Sequence, residues 1–269
     1  MKAYRVHEYG DAAKFIGEEV SKPSAKQGHV VVEVKASSLN PVDHKLLKCD
    51  LGINPALPGI LHMDVSGVIT EVGKGVTAFK TGDEIYGCAG GLQGEAGNIE
   101  GALADFMLAD SNLIALKPKS LSFSESAALP LVTITAWEGL FDRAHVKKED
   151  HVLIHGGTGG VGHIAIQLAK QHGARVATTV SSEEKAKIAR GLGAEDIIFY
   201  RDEKVEDYTQ RLTKGKGFDA VFDTIGADNL DKSLEAAKVS GQVISIIGSN
   251  KHDLTPMHMK GLSLHLVFM

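Results

Sequence analysis

A chain of 269 residues is long enough for one large domain or two ordinary ones, each with its own core. With 43% hydrophobic residues, a net charge of −5 and no dense Lys/Arg run, it reads as a water-soluble globular protein, which excludes nucleic acid or an anionic membrane as its main partner. Two cysteines, Cys49 and Cys88, outside any C-x-x-C pair exclude a disulfide framework and a zinc ribbon; with no signal-peptide core and no membrane-length apolar run, a cytoplasmic location is expected.

Residues 1 to about 117 read as β-rich. His29 to Ala36, carrying Val30, Val31, Val32 and Val34, predicts a half-buried strand, and Asp64 to Gly73 predicts another. Gly73, Gly75, Gly82, Asp83 and Gly87 punctuate closely, so short strands closed by turns into a barrel or sandwich are expected. The glycine-rich stretch from Gly87 to Gly101 reads as a mobile loop. At Ser122 the period changes. Ser122 or Ser124 can cap a helix with Glu125 in its first turn, Pro130 interrupts it, and a second helical pattern carries Trp137, Leu140 and Phe141. This bridge divides the chain into domains 1–122 and 123–269.

From His151 onward strand and helix alternate. Strands are predicted at 151–155, 175–180, 195–200, 219–223, 242–247 and 263–268, with helices near 160–172, 182–192, 203–213 and 228–238. Such alternation implies an α/β domain with a parallel sheet covered on both faces, and six strands complete a doubly wound dinucleotide-binding sheet. Between the first strand and helix lie Gly157, Thr158, Gly159, Gly160, Val161 and Gly162, where Gly157, Gly159 and Gly162 form G-x-G-x-x-G. The three glycines serve a tight turn, backbone approach to a pyrophosphate, and helix–strand contact. A lone motif of this kind is weak, but its place between strand and helix is the context it requires.

The second strand decides which dinucleotide. NAD usually requires an acid at its end, whereas here Thr178, Thr179, Ser181 and Ser182 stand there. Glu183 and Glu184 are the rival ribose partners, although Ser181 with Glu184 matches a capping box. Lys185, and Tyr200 with Arg201 at the end of the third strand, can hold a 2′-phosphate, against the plainer reading of Lys185 as a solvated helix lysine. NADP(H) is the expected cofactor.

With these motifs in hand, the chain resembles the medium-chain dehydrogenase/reductase superfamily, in its zinc-independent NADPH:quinone oxidoreductase branch. Leu153, Gly159 to Gly162, Gln167 and Lys170 match that branch's signature, from which Gly157-Thr158 depart. Val72-Gly73, Val76, Phe79, Gly82-Asp83 and Tyr86-Gly87 match the superfamily's barrel pattern, while Asn40 to Asp43 and Asp64 to Gly67 fall on its two active-site stretches. The resemblance implies an N-terminal GroES-like barrel followed by a Rossmann domain. The catalytic zinc positions fall on Asn40, Met63 and near Leu131, which complete no metal site; a set improvised from His44, Cys49, His62 and Asp64 is the alternative.

The resemblance also places Asn40 and Thr135 near the nicotinamide and makes Asn40 and Asp43 the candidate catalytic residues. Asp43 and Asp64 are equally readable as supports of the barrel, and Tyr86 as packing or a proton source. No nucleophile–base pair and no G-x-S-x-G appear, which fits hydride transfer, where the cofactor carries the chemistry. Family members continue past the sixth strand and return to the first domain; this sequence stops at Met269, so uncovered apolar surface is expected. The family dimerises through that strand, making Ser263 to Phe268 the expected dimer edge. The implied function is NADPH-dependent reduction of a quinone or an activated C=C or C=O bond. The alternatives are a zinc-type alcohol dehydrogenase with non-standard ligands and a non-catalytic NADPH-binding protein.

Overall fold

The computed structural model describes residues 1–94, 97–248 and 250–268, and the chain divides into two compact units, Met1–Leu131 and Val132–Met269. In the first unit, β1 (Lys2–Arg5) pairs antiparallel with β2 (Ile16–Glu19). Then follow β3 (His29–Ser37), α1 (Pro41–Lys48), β4 (Asp64–Val72), β5 (Glu84–Cys88), β6 (Leu92–Gly94), β7 (Gly97–Ile99), β8 (Phe106–Asp110), β9 (Ile114–Leu116) and α2 (Phe123–Ala127). The main sheet is antiparallel in the order β8-β3-β4-β5-β9. Val30, Val31 and Val32 are all fully buried, so β3 is covered on both faces over this run and reads as continuous rather than alternating valine. Val30, Val32, Val65, Ile69, Ile85 and Met107 share the core, and each such buried side chain contributes about 1.5–3 kcal/mol.

The expected mobile loop from Gly87 to Gly101 is instead largely ordered: β6 and β7 form a hairpin within it. Glu95 and Ala96 lie outside the described residues. The glycines there serve close backbone approach. A Cβ on Gly101 would stand 2.1 Å from the Leu61 carbonyl oxygen, and Gly101 N–H donates to Ile60 at 2.8 Å. Small side chains here permit close backbone packing, not freedom.

α2 begins as expected, with Ser122 as its cap and Glu125 accepting from the Ser122 N–H at 2.8 Å. α3 (Pro130–Trp137) opens on the proline and runs into a π-helical turn over Glu138–Arg143. The second unit then alternates strictly: β10 (His151–His155), α4 (Gly160–Gln171), β11 (Arg175–Val180), α5 (Glu183–Leu192), β12 (Asp196–Phe199), α6 (Val205–Thr213), β13 (Phe218–Asp223), α7 (Asn229–Ala236), β14 (Ala237–Ser245), α8 (Thr255–Lys260) and β15 (Ser263–Leu266). The six strands lie parallel in the order β12-β11-β10-β13-β14-β15. This order reverses between β10 and β13, the switch point at which such sheets bind ligands.

Two expectations fail here. Helix 228–238 ends at Ala236, because Ala237 already pairs with Phe218 and β14 starts five residues earlier than expected, with a register shift between Phe218 and Ala220. α8 was not foreseen. It is short, carries His258 and Lys260, and buries none of its residues, so it leaves no apolar periodicity to read. Among the described residues, no helix is long and apolar enough to cross a membrane.

Candidate functional site

The glycine turn joins β10 to α4. Its glycines divide into two kinds. A Cβ on Gly157 would stand 2.1 Å from the Thr178 hydroxyl oxygen, and one on Gly162 would stand 2.2 Å from the Gly156 carbonyl oxygen. The fold itself forbids side chains at these two positions. A Cβ on Gly159 would meet only the Gly156 oxygen at 3.2 Å, and one on Gly160 only Val132 at 3.6 Å. Protein packing therefore requires no glycine at 160, and at 159 it asks the backbone to give only a few tenths of an ångström; both leave backbone open to an approaching ligand. The residue capping α4 is Gly159, which has no side chain to do so, so the N–H groups of Gly160, Val161 and Gly162 have no acceptor within the helix and face outward with its positive dipole end. Thr158 sits within the same turn. A diphosphate fits this cradle.

The end of β11 differs in detail from the sequence expectation. Thr178 donates its hydroxyl to the Ile154 carbonyl at 2.6 Å, and the Thr179 oxygen accepts from Gly156 N–H at 3.0 Å. Both hydroxyls are engaged within the fold, leaving half-buried Ser181 and exposed Ser182 at the strand end. The cap of α5 is Ser182, which accepts from Lys185 N–H at 3.3 Å. The expected Ser181–Glu184 capping box is thus corrected by one residue: Ser182 has the extended cap backbone, and its third residue onward is Lys185, not an acid. Glu183 pairs with Arg190 at 2.9 Å. Lys185 is exposed in the first turn of α5. Tyr200 is about half exposed, and the Arg201 guanidinium lies 5.6 Å from the centre of its ring. Thr135 is buried on α3.

In the first unit, Asn40, Asp43 and Asp64 come together across 24 residues of sequence. The Asn40 side-chain amide donates to Asp64 Oδ2 at 2.9 Å and to Ser38 Oγ at 3.3 Å, while the Asn40 N–H donates to Asp43 Oδ2 at 2.7 Å. Ser38 donates to Asp64 Oδ2 at 2.7 Å, and the Leu131 N–H donates to Asp64 Oδ1 at 2.9 Å. Burial pushes the carboxyls of Asp43 and Asp64 above the usual range, opposed by these donors. Burial also pushes the Cys88 thiol up, reinforced by the nearby Asp64 charge. Asp43 Oδ1 is buried with no hydrogen-bond partner among the described residues. Sequence reasoning did not find Ser38 or the Leu131 amide; neither belongs to a motif.

Met63 and Leu131, on the superfamily's metal positions, are buried apolar side chains. Three residues of the improvised set are otherwise engaged, and the fourth, His44, is exposed on α1: His62 Nδ1 lies 3.0 Å from Ser37 Oγ, Cys49 donates to the Lys45 carbonyl, and Asp64 accepts three donors. Among the described residues, no group of three His, Cys, Asp or Glu is placed to hold a metal ion. Tyr86 lies half-buried within β5, paired with Ser66 and Ala115.

Comparison with known proteins follows this geometry. Residues 26–119 match the alcohol dehydrogenase GroES-like domain, and residues 160–268 match the zinc-binding dehydrogenase domain. The NADPH-dependent alkenal/one oxidoreductase, chloroplastic, of Arabidopsis thaliana is 36% identical over 93% of the chain; the chain spans 63% of its length. The quinone oxidoreductase of Pongo abelii is 32% identical over 93% of the chain and 73% of its own length. Among solved structures, an alcohol dehydrogenase superfamily protein from Novosphingobium aromaticivorans superposes with a TM-score of 0.92 at 39% identity, covering 100% of the chain and 79% of that protein. With a GroES-like unit and a six-stranded parallel unit in this order, the chain belongs to the medium-chain dehydrogenase/reductase superfamily, on its quinone oxidoreductase-like branch.

Proposed function

We propose that the protein is an NADPH-dependent oxidoreductase that reduces a quinone or an electron-poor C=C or C=O bond. The observation that carries this reading is the uncapped start of α4 at Gly159 and Gly160, the second of which is a glycine that the protein's own packing does not require. The names of the relatives support the same chemistry. A bound reduced nicotinamide supplies the hydride. The chain's part is to hold and orient: backbone amides of Gly159 to Gly162, with Gly157 and Thr158 shaping the turn, take the diphosphate. Ser181, Lys185 and Tyr200 take the phosphorylated ribose, where a cation at Lys185 favours a 2′-phosphate over a hydroxyl. Thr135 belongs to the nicotinamide end. In the first unit, Asn40 presents an amide held by Asp64, and Asp43 fixes the start of α1, so this pair orients the substrate carbonyl or quinone oxygen. Metal takes no part in this reading, since Asp64 is saturated by N–H and O–H donors.

NADPH consumption at 340 nm with a panel of quinones and enones tests the activity; a protein that binds NADPH but consumes none with any acceptor is not this enzyme. Lys185→Ala should weaken NADPH binding about tenfold and leave NADH nearly unchanged, loss of one charge-assisted contact being worth roughly 1.5 kcal/mol. Equal losses for the two cofactors would remove Lys185 from the phosphate site.

Pairing of two copies through β15 belongs to the same reading. β15 is the edge of the six-stranded sheet, and Leu266 and Phe268 at its end are 55% and 71% exposed. Light scattering should give twice the chain mass for wild type and the single mass for Leu266→Lys. The thiols of Cys49 and Cys88, neither in a disulfide, favour a reducing compartment, and cytoplasmic residence completes the proposal.

A further inference from the structure

The glycine turn rests on a buried polar layer. His155, the last residue of β10, is registered against Asp223, the last residue of β13, so both side chains leave the sheet on the same face. Both are buried, at 3% and 0% exposure. Each keeps one polar atom, His155 Nε2 and Asp223 Oδ2, without a hydrogen-bond partner among the described residues. Buried polar atoms of this kind are costly, and where they persist a functional constraint is a leading reason.

Their remaining bonds run to two loops. Thr179 Oγ1 accepts from Gly156 N–H at 3.0 Å and lies 3.4 Å from His155 Nδ1. Its own proton is then available to Nδ1, which leaves the ring proton on Nε2. Burial pushes the imidazole down to about 4, so the ring is neutral at pH 7. On the other side, Asp223 Oδ1 accepts from Ile225 N–H at 2.9 Å, Gly226 N–H at 3.1 Å and Asn229 Nδ2 at 2.9 Å. Thr224 closes the circuit by donating its hydroxyl to the His155 carbonyl at 2.6 Å. The turn and this loop also touch sterically: a Cβ on Gly156 would stand 2.8 Å from Thr224 Oγ1 and 2.8 Å from Ile225 Cδ1.

We propose that His155, Thr179 and Asp223 are positioning residues that clamp the Gly156–Gly162 turn to the Thr224–Gly226 loop, so that affinity for the cofactor diphosphate is set by side chains buried beneath the turn. This rests on the cofactor reading above. Thr179 fixes the direction of the Gly156 N–H, and hence where the turn leaves the sheet. Asp223 fixes the neighbouring loop against it. Displacement of such a scaffold by a fraction of an ångström misaims every amide at the start of α4.

Calorimetric titration with NADPH tests this in the full chain. Thr179→Val keeps the shape and removes the acceptor; its dissociation constant should rise about tenfold, while Thr179→Ser, which restores the hydroxyl, should return to within about twofold of wild type. The KM for NADPH should rise with it, and saturating NADPH should recover the rate, a split that simple loss of folded protein does not produce. Should Thr179→Val fail to fold, Asp223→Ala, which removes the Oδ1 that accepts from Ile225, Gly226 and Asn229, decides by the same criterion. Wild type without binding heat overturns the cofactor reading itself. Wild-type affinity in folded Thr179→Val or Asp223→Ala overturns the clamp alone.

Discussion

Gly162→Val should abolish measurable NADPH binding and lower the melting temperature. The added Cβ would stand 2.2 Å from the Gly156 carbonyl oxygen and 3.0 Å from the Gly157 Cα. These are backbone atoms that no rotamer change can move, so the turn must open or α4 must lift from β10. Overpacking against backbone costs on the order of 3 kcal/mol, and a displacement of about 1 Å in the amides facing a diphosphate lowers affinity on the order of a hundredfold or more. Gly160→Ala is the matched comparison. Its Cβ meets only the Val132 side chain at 3.6 Å, an ordinary contact, so this variant should melt close to wild type and still lose affinity, because its methyl occupies space that the fold leaves open. Calorimetry paired with thermal melting separates the two. Wild-type affinity in folded Gly162→Val would remove the turn from the binding site.

Asp64→Leu should destabilise the first unit by on the order of 4 kcal/mol. Asp64 is fully buried and accepts from Ser38 Oγ, Asn40 Nδ2 and Leu131 N–H. Leucine of similar volume removes the acceptor from the buried Asn40 amide and Leu131 N–H and from part-buried Ser38, each buried donor so left costing about 1–3 kcal/mol, offset in part by relief of carboxylate desolvation. Asp64→Asn should fall between, since it keeps Oδ1 for Leu131 but can turn its NH2 toward the NH2 of Asn40. Thermal melting in which the lower transition shifts down by about 10 °C or more for leucine, and by less for asparagine, is the expected result. Equal melting of Asp64→Leu and wild type would show that the network adds nothing to the fold.

Much of the second unit was legible because its signals are local. β10, β11 and α4 announce themselves through apolar runs of fixed length bounded by Gly156 and Gly173, and the six strands fall close to where periodicity puts them. What escaped was decided by tertiary contact. Ser181 and Ser182 are equally good caps in sequence, and only the extended backbone at Ser182 chooses between them. Ala237 looked like the end of a helix until its pairing with Phe218 claimed it for β14. The glycines from 87 to 101 carry the same letters whether a loop moves freely or two backbones press together, as Gly101 does on Leu61. In the candidate site, Asn40 and Asp43 were found by motif. The donors to Asp64 come from separations of 24 to 67 residues and leave no trace in any window. Gly157 and Gly162 were assigned to turn geometry and contact by the motif alone, whereas the contrast with Gly159 and Gly160 needed coordinates.

The missing cap on α4 reaches beyond recognition. Because the helix supplies no oxygen of its own to its opening amides, the anion that the proposed function places there would supply one, and what it gives to binding it would give also to folding. On that proposal the stability of the folded chain rises with nucleotide concentration, and protein starved of nucleotide is the more exposed to proteolysis.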